Sequence, residues 1–301
     1  MDRRTFLRNS SLAAGAAPLS AVSWLGADPV TPFRLKYAPH IGMFKASAGD
    51  DPIAQIHYMA DQGFRAFEDN EMAQRPVALQ EAMAKALKSR SMQMGVFVAH
   101  RIDWQSPSLS SAEADAKAAF LEDIRNSIEV AKRVGATWMT VVPGVVDGRQ
   151  DMGYQTALVI DKLRAAASLL EPHELVMVLE PLNFRDHPNM FLTKAAQAYQ
   201  ICRAVDSPSC KILFDVYHQQ VQEGNLLANI ERCWEEIAYF QVGDNPGRKE
   251  PTTGEINYQN VFRYLKERKY LGIVGMEHGN AHSGKEGEAA VITAYRMVDV
   301  E

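Results

Sequence analysis

The segment from residue 175 to residue 218 contains two apolar runs that each end in an acidic side chain. The first run reads LVMVLEPLN (residues 175–183), and the second reads CKILFDVYH (residues 210–218). Each run has the length of a buried β-strand, and the residues between them are numerous enough to form a helix. The segment therefore predicts a strand, a crossover helix and a second, parallel strand.

The same alternation continues along most of the chain. Eight strand-length apolar runs alternate with helix-period segments, at residues 35–44, 64–72, 94–100, 136–144, 175–183, 210–218, 237–245 and 273–279. Eight parallel β/α units close a barrel, and about 270 residues is the usual size of such a domain. We predict an α/β fold with one (β/α)8 barrel over residues 31–301. No G-x-G-x-x-G follows the first strand, which disfavours an open dinucleotide-binding sheet.

The helical segments carry start and stop signals. Asp51 followed by Pro52 is typical of a helix N-cap and first turn, and Gly63 is typical of the end of that helix. A second apolar stripe at helical spacing precedes Gly135 and predicts a helix packed on the barrel. Its members are Phe120, Ile124, Ile128 and Ala131.

The N-terminus has the features of an export signal. Arg3 and Arg4 lie in the run DRRTFL (residues 2–7), and an apolar, small-residue stretch follows from residue 12 to about residue 25. This run resembles the twin-arginine signal, in which paired arginines precede a variable residue and two apolar ones. We expect residues 1–30 to be a twin-arginine signal peptide and the protein to be exported to the periplasm or cell envelope.

Composition excludes several classes of function. The net charge is -5, and the chain lacks a run of five or six basic residues, so nucleic acid is not an expected partner. After the N-terminus, charge, Gly or Pro interrupts every apolar run well before about 18 residues, so the mature chain is not expected to span a membrane. Cys202, Cys210 and Cys233 lack the spacing of a zinc or redox site and predict free thiols.

The fifth to eighth predicted strands each end in a side chain with an oxygen donor. These side chains are Glu180, Asp215, Gln241 and Glu277. The carboxyl ends of barrel strands converge on one rim, where three carboxylates would repel one another unless a cation neutralised them. An oxygen-only ligand set suits Mg²⁺ or Mn²⁺ better than Zn²⁺. The alternative is that the acids form independent salt bridges with Arg185, Arg248 or Lys249.

Five stretches of the sequence together resemble a known family. They read GFRAFE (63–68), EPLN (180–183), FDVYH (214–218), NPGRKEPTTGEINY (245–258) and GME (275–277). The chain resembles the hydroxypyruvate isomerase family, within the xylose isomerase-like barrels that also include D-tagatose 3-epimerase and endonuclease IV. The long run at 245–258 is the most specific of the five, and the likeness is densest from residue 176 to residue 278.

The resemblance implies roles for the strand-end residues. Glu180, Asp215, Gln241 and Glu277 look like the metal ligands of the family, and Glu180 and Glu277 also look like its catalytic acid/base pair. The resemblance thus assigns two tasks to the same glutamates, metal binding and proton transfer.

Four further residues receive roles from the resemblance alone. His218 and Arg248 look like substrate contacts. Glu68 matches a family acid to which we give only a supporting role, with a structural role as the alternative. Glu250 is a second supporting residue that could orient Arg248 or the metal shell, with a plain salt bridge as the alternative.

The expected function is a divalent-metal-dependent isomerase or epimerase. Its substrate would be a small hydroxycarbonyl compound, hydroxypyruvate or a small sugar, and glutamates would move the proton through an enediolate. A lyase or dehydratase acting on oxidised keto sugars needs the same metal and base and is an open alternative, as is a non-catalytic barrel that binds sugar. Phosphodiester cleavage is disfavoured, because it requires more histidine ligands and a basic surface.

Export through the twin-arginine route is directly testable. Replacing both Arg3 and Arg4 with Lys preserves the positive charge but removes the paired guanidinium groups, so the full-length protein should accumulate inside the cell. Fractionation followed by immunoblotting measures this, and unchanged export of the double variant would contradict the prediction.

Overall fold

A computed structural model describes residues 30–299. The predicted signal peptide lies outside the described residues, except for Val30. Its assignment, like the export of the protein, therefore stays a prediction.

Within residues 30–299, eight short strands form, one in each of the predicted strand regions. They are Lys36–Ala38 (β1), Ala66–Phe67 (β2), Gln93–Met94 (β3), Trp138–Val141 (β4), Val176–Leu179 (β5), Cys210–Asp215 (β6), Ile237–Gln241 (β7) and Ile273–Gly275 (β8). The strands are shorter than the predicted runs, because the residues that follow each strand leave the sheet and form loops or, after β6, a helix. These segments lie at the C-terminal ends of the strands, which we call the upper rim of the barrel. The third strand also begins one residue before its predicted start.

The strands pair in parallel and form a ring. Six of them follow the order β1-β8-β7-β6-β5-β4, and β2 pairs with β3. Parallel bridges between His40 and Glu68, and between Val98 and Thr140, join the two sheets. The prediction of an α/β fold with a parallel (β/α)8 barrel is thereby confirmed.

Helices surround the ring of strands. They are Lys45–Ala48 (α1), Pro52–Asp61 (α2), Val77–Ser89 (α3), Ala114–Val134 (α4), Met152–Leu170 (α5), Ala195–Val205 (α6), Val216–Gln222 (α7), Leu226–Cys233 (α8), Tyr258–Glu267 (α9) and Gly284–Val298 (α10). The Asp51 side chain accepts the backbone N–H of Ile53 at the start of α2. Gly135 ends α4 in the left-handed conformation, with φ at 70°.

The pleat of the strands sorts side chains onto two faces. One apolar cluster fills the barrel interior, and its members are Ala38, Ala66, Val96, Val178, Leu213, Tyr239 and Ile273. A larger cluster lies between strands and helices and includes Leu179, Phe214 and Phe240. Because alternate residues of a strand face the same side, the residue two positions after an interior side chain also faces the interior. The side chains placed inward in this way are Glu68, Glu180, Asp215 and Gln241, and Glu277 follows two positions beyond Gly275.

Two further expectations agree with the structure. Within residues 30–299, no helix is long and apolar enough to cross a membrane. The three cysteines are free and buried.

The interior packing at Gly275 predicts a sensitive position. A Cβ there would collide with the Glu68 carboxylate and lie 2.8 Å from Gln241 Cγ, so Gly275→Ala should lower the free energy of unfolding by about 1–3 kcal/mol. Urea unfolding followed by circular dichroism measures the change. Gly148→Ala is the matched control, because a Cβ at Gly148 meets no atom within 4 Å. Equal stability of the two variants would contradict this account of the packing.

Candidate functional site

Asp215 is the last residue of β6 and is fully buried. Its Oδ1 accepts the backbone N–H groups of Tyr217, at 2.8 Å, and His218, at 3.3 Å, so it also caps the start of α7. Burial raises the pKa of this carboxyl above its usual range, and the nearby Arg248 guanidinium and the backbone hydrogen bonds oppose the rise only in part. The hydrogen bonds from these two backbone N–H groups thus fix the position of the Asp215 carboxylate.

Glu180 and Glu277 complete a set of three inward-facing acids. Burial, and then the neighbouring carboxylates of Glu277 and Asp215, raise the pKa of Glu180 well above its usual range. The Glu277 Oε1 accepts a hydrogen bond from Asn70 Nδ2 at 2.9 Å. Ligand oxygens of Glu180 and Asp215 lie within 4.8 Å of each other, and one Arg248 nitrogen contacts both Asp215 and Glu277, so the fold brings the predicted acids together.

Arg248 lies between two of these acids. Its Nη2 donates to Asp215 Oδ2 at 3.1 Å and to Glu277 Oε2 at 2.9 Å, while its guanidinium packs over the Tyr217 ring at 5.1 Å. Burial acts to lower the pKa of the Arg248 guanidinium. Neighbouring negative charges, with those of Glu277 and Asp215 the largest, together raise this pKa by more than burial lowers it, so the net shift is upward. Arg248 therefore forms salt bridges of the kind that we gave as the alternative to a metal site. The bridges are not independent, because one guanidinium pairs with two acids at once.

The loop that carries Arg248 is fixed by buried carboxylates. Asp244 accepts the backbone N–H groups of Asn245, at 2.9 Å, Gly254, at 2.9 Å, and Ile256, at 3.1 Å. The Glu250 Oε2 accepts the backbone N–H of Ala281 at 2.8 Å, which ties this loop to the segment after β8. Glu250 thus supports the loop as a whole.

Gln241 is oriented by a buried carboxylate behind it. Its Nε2 donates to both oxygens of Glu68 at 3.4 Å, and Tyr239 Oη donates to Glu68 Oε2 at 3.0 Å. Burial and then the Glu277 carboxylate raise the pKa of Glu68 well above its usual range. The buried Gln241 Oε1 has no hydrogen-bond partner within residues 30–299. A fixed amide oxygen without a partner among three carboxylates suits a cation ligand.

His218 is held in one tautomer. Its Nδ1 accepts the backbone N–H of Asn183 at 3.2 Å and contacts the Asn183 amide nitrogen at 2.7 Å, so a neutral ring carries its proton on Nε2. Burial, followed by the positive charge of Arg248, lowers the His218 pKa to about 3, so the ring is neutral near pH 7. The Nε2–H lies 3.8 Å from Glu180 Oε1 and 3.7 Å from Asp215 Oδ2.

Two sets of residues could hold a metal ion here. Single ligand atoms of Glu180, Asp215 and His218 all lie within 4.8 Å of one another. In the tautomer that the Asn183 contacts favour, however, His218 Nε2 is a hydrogen-bond donor and has no lone pair for a cation. The Gln241 oxygen is free to accept, so the residues present fit a divalent cation bound by oxygen atoms alone.

A cavity of about 460 Å³ opens beside these residues. Its wall includes Asn70, Arg248 and Glu277, and His40 and His278 lie on the side of β1 and β8. The cavity places solvent or a small molecule next to Glu277 and Arg248.

A family model for xylose isomerase-like TIM barrels matches residues 56–298. The chain belongs to this family. A human protein named putative hydroxypyruvate isomerase is 30% identical over 72% of this chain and 80% of its own length. A 2-oxo-tetronate isomerase of Pectobacterium atrosepticum is 30% identical over 62% of this chain and 69% of its own length. The family resemblance and the prediction of an isomerase-type enzyme are confirmed.

The fold also recurs in solved structures of other proteins. The Escherichia coli 3-keto-D-glucoside 4-epimerase superposes with a TM-score of 0.73 at 18% identity and covers 88% of this chain and 100% of its own. At this identity the likeness shows the fold alone.

Sequence reasoning missed several residues that shape the site of this barrel. Asn70 positions Glu277, and Asn183 positions His218. Tyr239 positions Glu68, and Asp244 positions the loop that carries Arg248. Asn183 and Asp244 follow the fifth and seventh strands closely, so the strand-end rule that identified Glu180 could have found them. Tyr239 gave no signal, because its pattern is that of an ordinary core residue.

The Tyr239 hydroxyl should contribute to stability through Glu68. Tyr239→Phe removes a buried donor from a buried carboxyl, so the free energy of unfolding should fall by about 1–3 kcal/mol. Tyr264→Phe is the matched control, because the buried Tyr264 hydroxyl has no partner in the described part of the chain. Urea titration compares the variants, and an equally small change in both would contradict the Glu68 contact.

Proposed function

We propose that this protein is a divalent-metal-dependent isomerase or epimerase of a small hydroxycarbonyl substrate. The metal ion would be Mg²⁺ or Mn²⁺, held by Glu180, Asp215, Gln241 and Glu277. The observation that carries the proposal is the buried Gln241 Oε1, which has no hydrogen-bond partner within residues 30–299, while Glu68 binds the amide nitrogen of the same side chain. Gln241 lies beside Asp215 in the sheet. The oxygen-only donor set supports a hard cation.

The metal ion, when bound, supplies a Lewis acid that polarises the substrate carbonyl and stabilises negative charge on its oxygens. In isomerisation, the protein's task is then to move one proton between neighbouring carbon atoms while the hydroxyl proton passes to the former carbonyl oxygen. In epimerisation, the proton returns to the other face of the same carbon. Glu180 and Glu277 are the candidates, because both face the interior from different strands. One glutamate would remove the proton from carbon, and the same or the other glutamate would return it.

His218 and Arg248 are proposed to bind and orient the substrate. The Nε2–H of His218 points toward the acids and is a donor for a substrate oxygen. The Arg248 guanidinium is a second donor, next to the cavity, and its positive charge suits a carboxylate or an enediolate oxygen. Glu68 acts indirectly by holding the Gln241 amide in place.

The names of two relatives, a hydroxypyruvate isomerase and a 2-oxo-tetronate isomerase, support a hydroxy-keto substrate of three or four carbons. A small sugar is the other substrate class that we propose. A lyase that expels a leaving group would use the same base and metal, so the arrangement of acids favours neither outcome. A non-catalytic sugar-binding barrel is disfavoured by the isomerase relatives. We also propose that the enzyme works outside the cytoplasm, which the arginine pair in residues 2–7 supports.

Solvent deuterium exchange tests the proposed chemistry. Metal-loaded protein is incubated in deuterated water with hydroxypyruvate, 2-oxo-tetronate and small ketoses, and proton NMR follows exchange at the α-carbon. Glu180→Gln and Glu277→Gln should each lower the rate by about 10² to 10⁴, because the amide cannot accept the proton. Chelation of the metal should abolish exchange in the wild-type protein.

Glu236→Gln is the matched control for these variants. Glu236 is also a buried glutamate, but it precedes β7 at the opposite end of the barrel, where it pairs with Arg203 and Lys211. The control should exchange deuterium at the wild-type rate. Wild-type rates in both site variants, or undiminished exchange after chelation, would refute the proposal.

A further inference from the structure

Three aromatic rings form a row that leads from the surface to the acids. The Trp104 ring stacks on His187 with centroids 5.2 Å apart and an interplanar angle of 28°. The His187 ring lies 5.5 Å from the His218 ring, which faces Glu180 and Asp215. The row therefore extends the site away from the reacting groups, on the side of β3 and β5.

The two outer rings stand on loops that are already ordered. Asp103 Oδ1 accepts the backbone N–H groups of Gln105 and Ser106, both at 2.8 Å, which fixes the turn that carries Trp104. The His187 backbone N–H donates to the Asn183 carbonyl at 3.1 Å. Asn183 also holds His218, so the position of His187 is coupled to that of the inner ring.

The exposure of Trp104 is not explained by packing. Its indole is 49% exposed although one face already stacks on His187. Such a flat, apolar surface with a polar N–H is suited to the C–H face of a hydroxylated carbon chain or sugar ring. A row of this kind offers contacts beyond those that a three-carbon substrate at the acids would use.

We propose that Trp104 and His187 form a binding wall for the non-reacting part of the substrate. The preferred substrate is then a keto sugar of five or more carbons, whose reacting end lies at Glu180 and Glu277 and whose remaining carbons lie along the wall. This inference rests on the proposed function and specifies its substrate class. Trp104 and His187 determine specificity in this scheme and take no part in proton transfer.

The test compares Trp104→Ala, Trp104→Phe and His187→Ala with the wild-type protein, all loaded with Mn²⁺ for kinetics. D-Ribulose and D-fructose are the long substrates, and hydroxypyruvate is the short one. Trp104→Ala should raise KM for the sugars about tenfold with little change in kcat, while Trp104→Phe retains most of the affinity. His187→Ala should also raise KM for the sugars. For hydroxypyruvate, kcat/KM should change by no more than about twofold in the two Trp104 variants, because His187 separates this ring from His218.

Phe184→Ala is the matched control. Phe184 is also half exposed, at 51%, and lies on the same loop as His187, but its ring contacts Arg185 and is not part of the row. This variant should leave both substrates unaffected. An equal loss for sugars in Phe184→Ala and Trp104→Ala would overturn the assignment of the wall.

Saturation-transfer NMR on Mg²⁺-loaded protein separates this inference from the proposed function. Sugar protons remote from the reacting carbons should receive magnetisation from the wild-type protein and lose it in Trp104→Ala. Sugar binding at the wall without turnover of any substrate would refute the isomerisation and leave the wall standing. Hydroxypyruvate turnover without sugar binding would refute the wall and leave the isomerisation standing.

Discussion

The crowding of acids inside the upper barrel is the constraint on which the rest of the site depends. Glu180, Asp215 and Glu277 all face one interior space, with Glu68 directly behind it. Burial and the neighbouring carboxylates raise the pKa of Glu180, and burial raises the pKa of Asp215, so the arrangement needs positive charge and hydrogen-bond donors. Arg248 supplies the charge, and Asn70 and the backbone of α7 supply donors. A divalent cation would meet the same need more fully.

The residues below and above the acids hold the site in place. Below the acids, the interior is apolar and rigid, so the carboxylates start from fixed strand ends. Above them, buried polar side chains such as Asn183 and Asp244 tie the loops by several hydrogen bonds each. The resulting loops hold His218 and Arg248 against the acids, where neither would stay by side-chain preference alone.

The strands and the segments that follow them contribute different residues to the candidate site. The strand ends carry the acids that we propose to hold the metal ion and to move the proton. The segments after the strands carry His218, Arg248 and the exposed Trp104, which are residues that we propose to contact the substrate.

The sequence by itself determined the number and order of the elements and the candidate acids. Apolar runs of strand length, and acids placed at their ends, depend on local spacing alone, so the barrel and the convergence of Glu180, Asp215 and Glu277 were predictable. The ends of the strands were not, because pairing stops where the neighbouring strand turns away. Only the tertiary structure decided the details that depend on contacts between distant segments. Tyr239 and Glu68 aim the Gln241 amide, Asn183 sets the His218 proton, and Arg248 bridges two acids, because each depends on distances that no local pattern encodes.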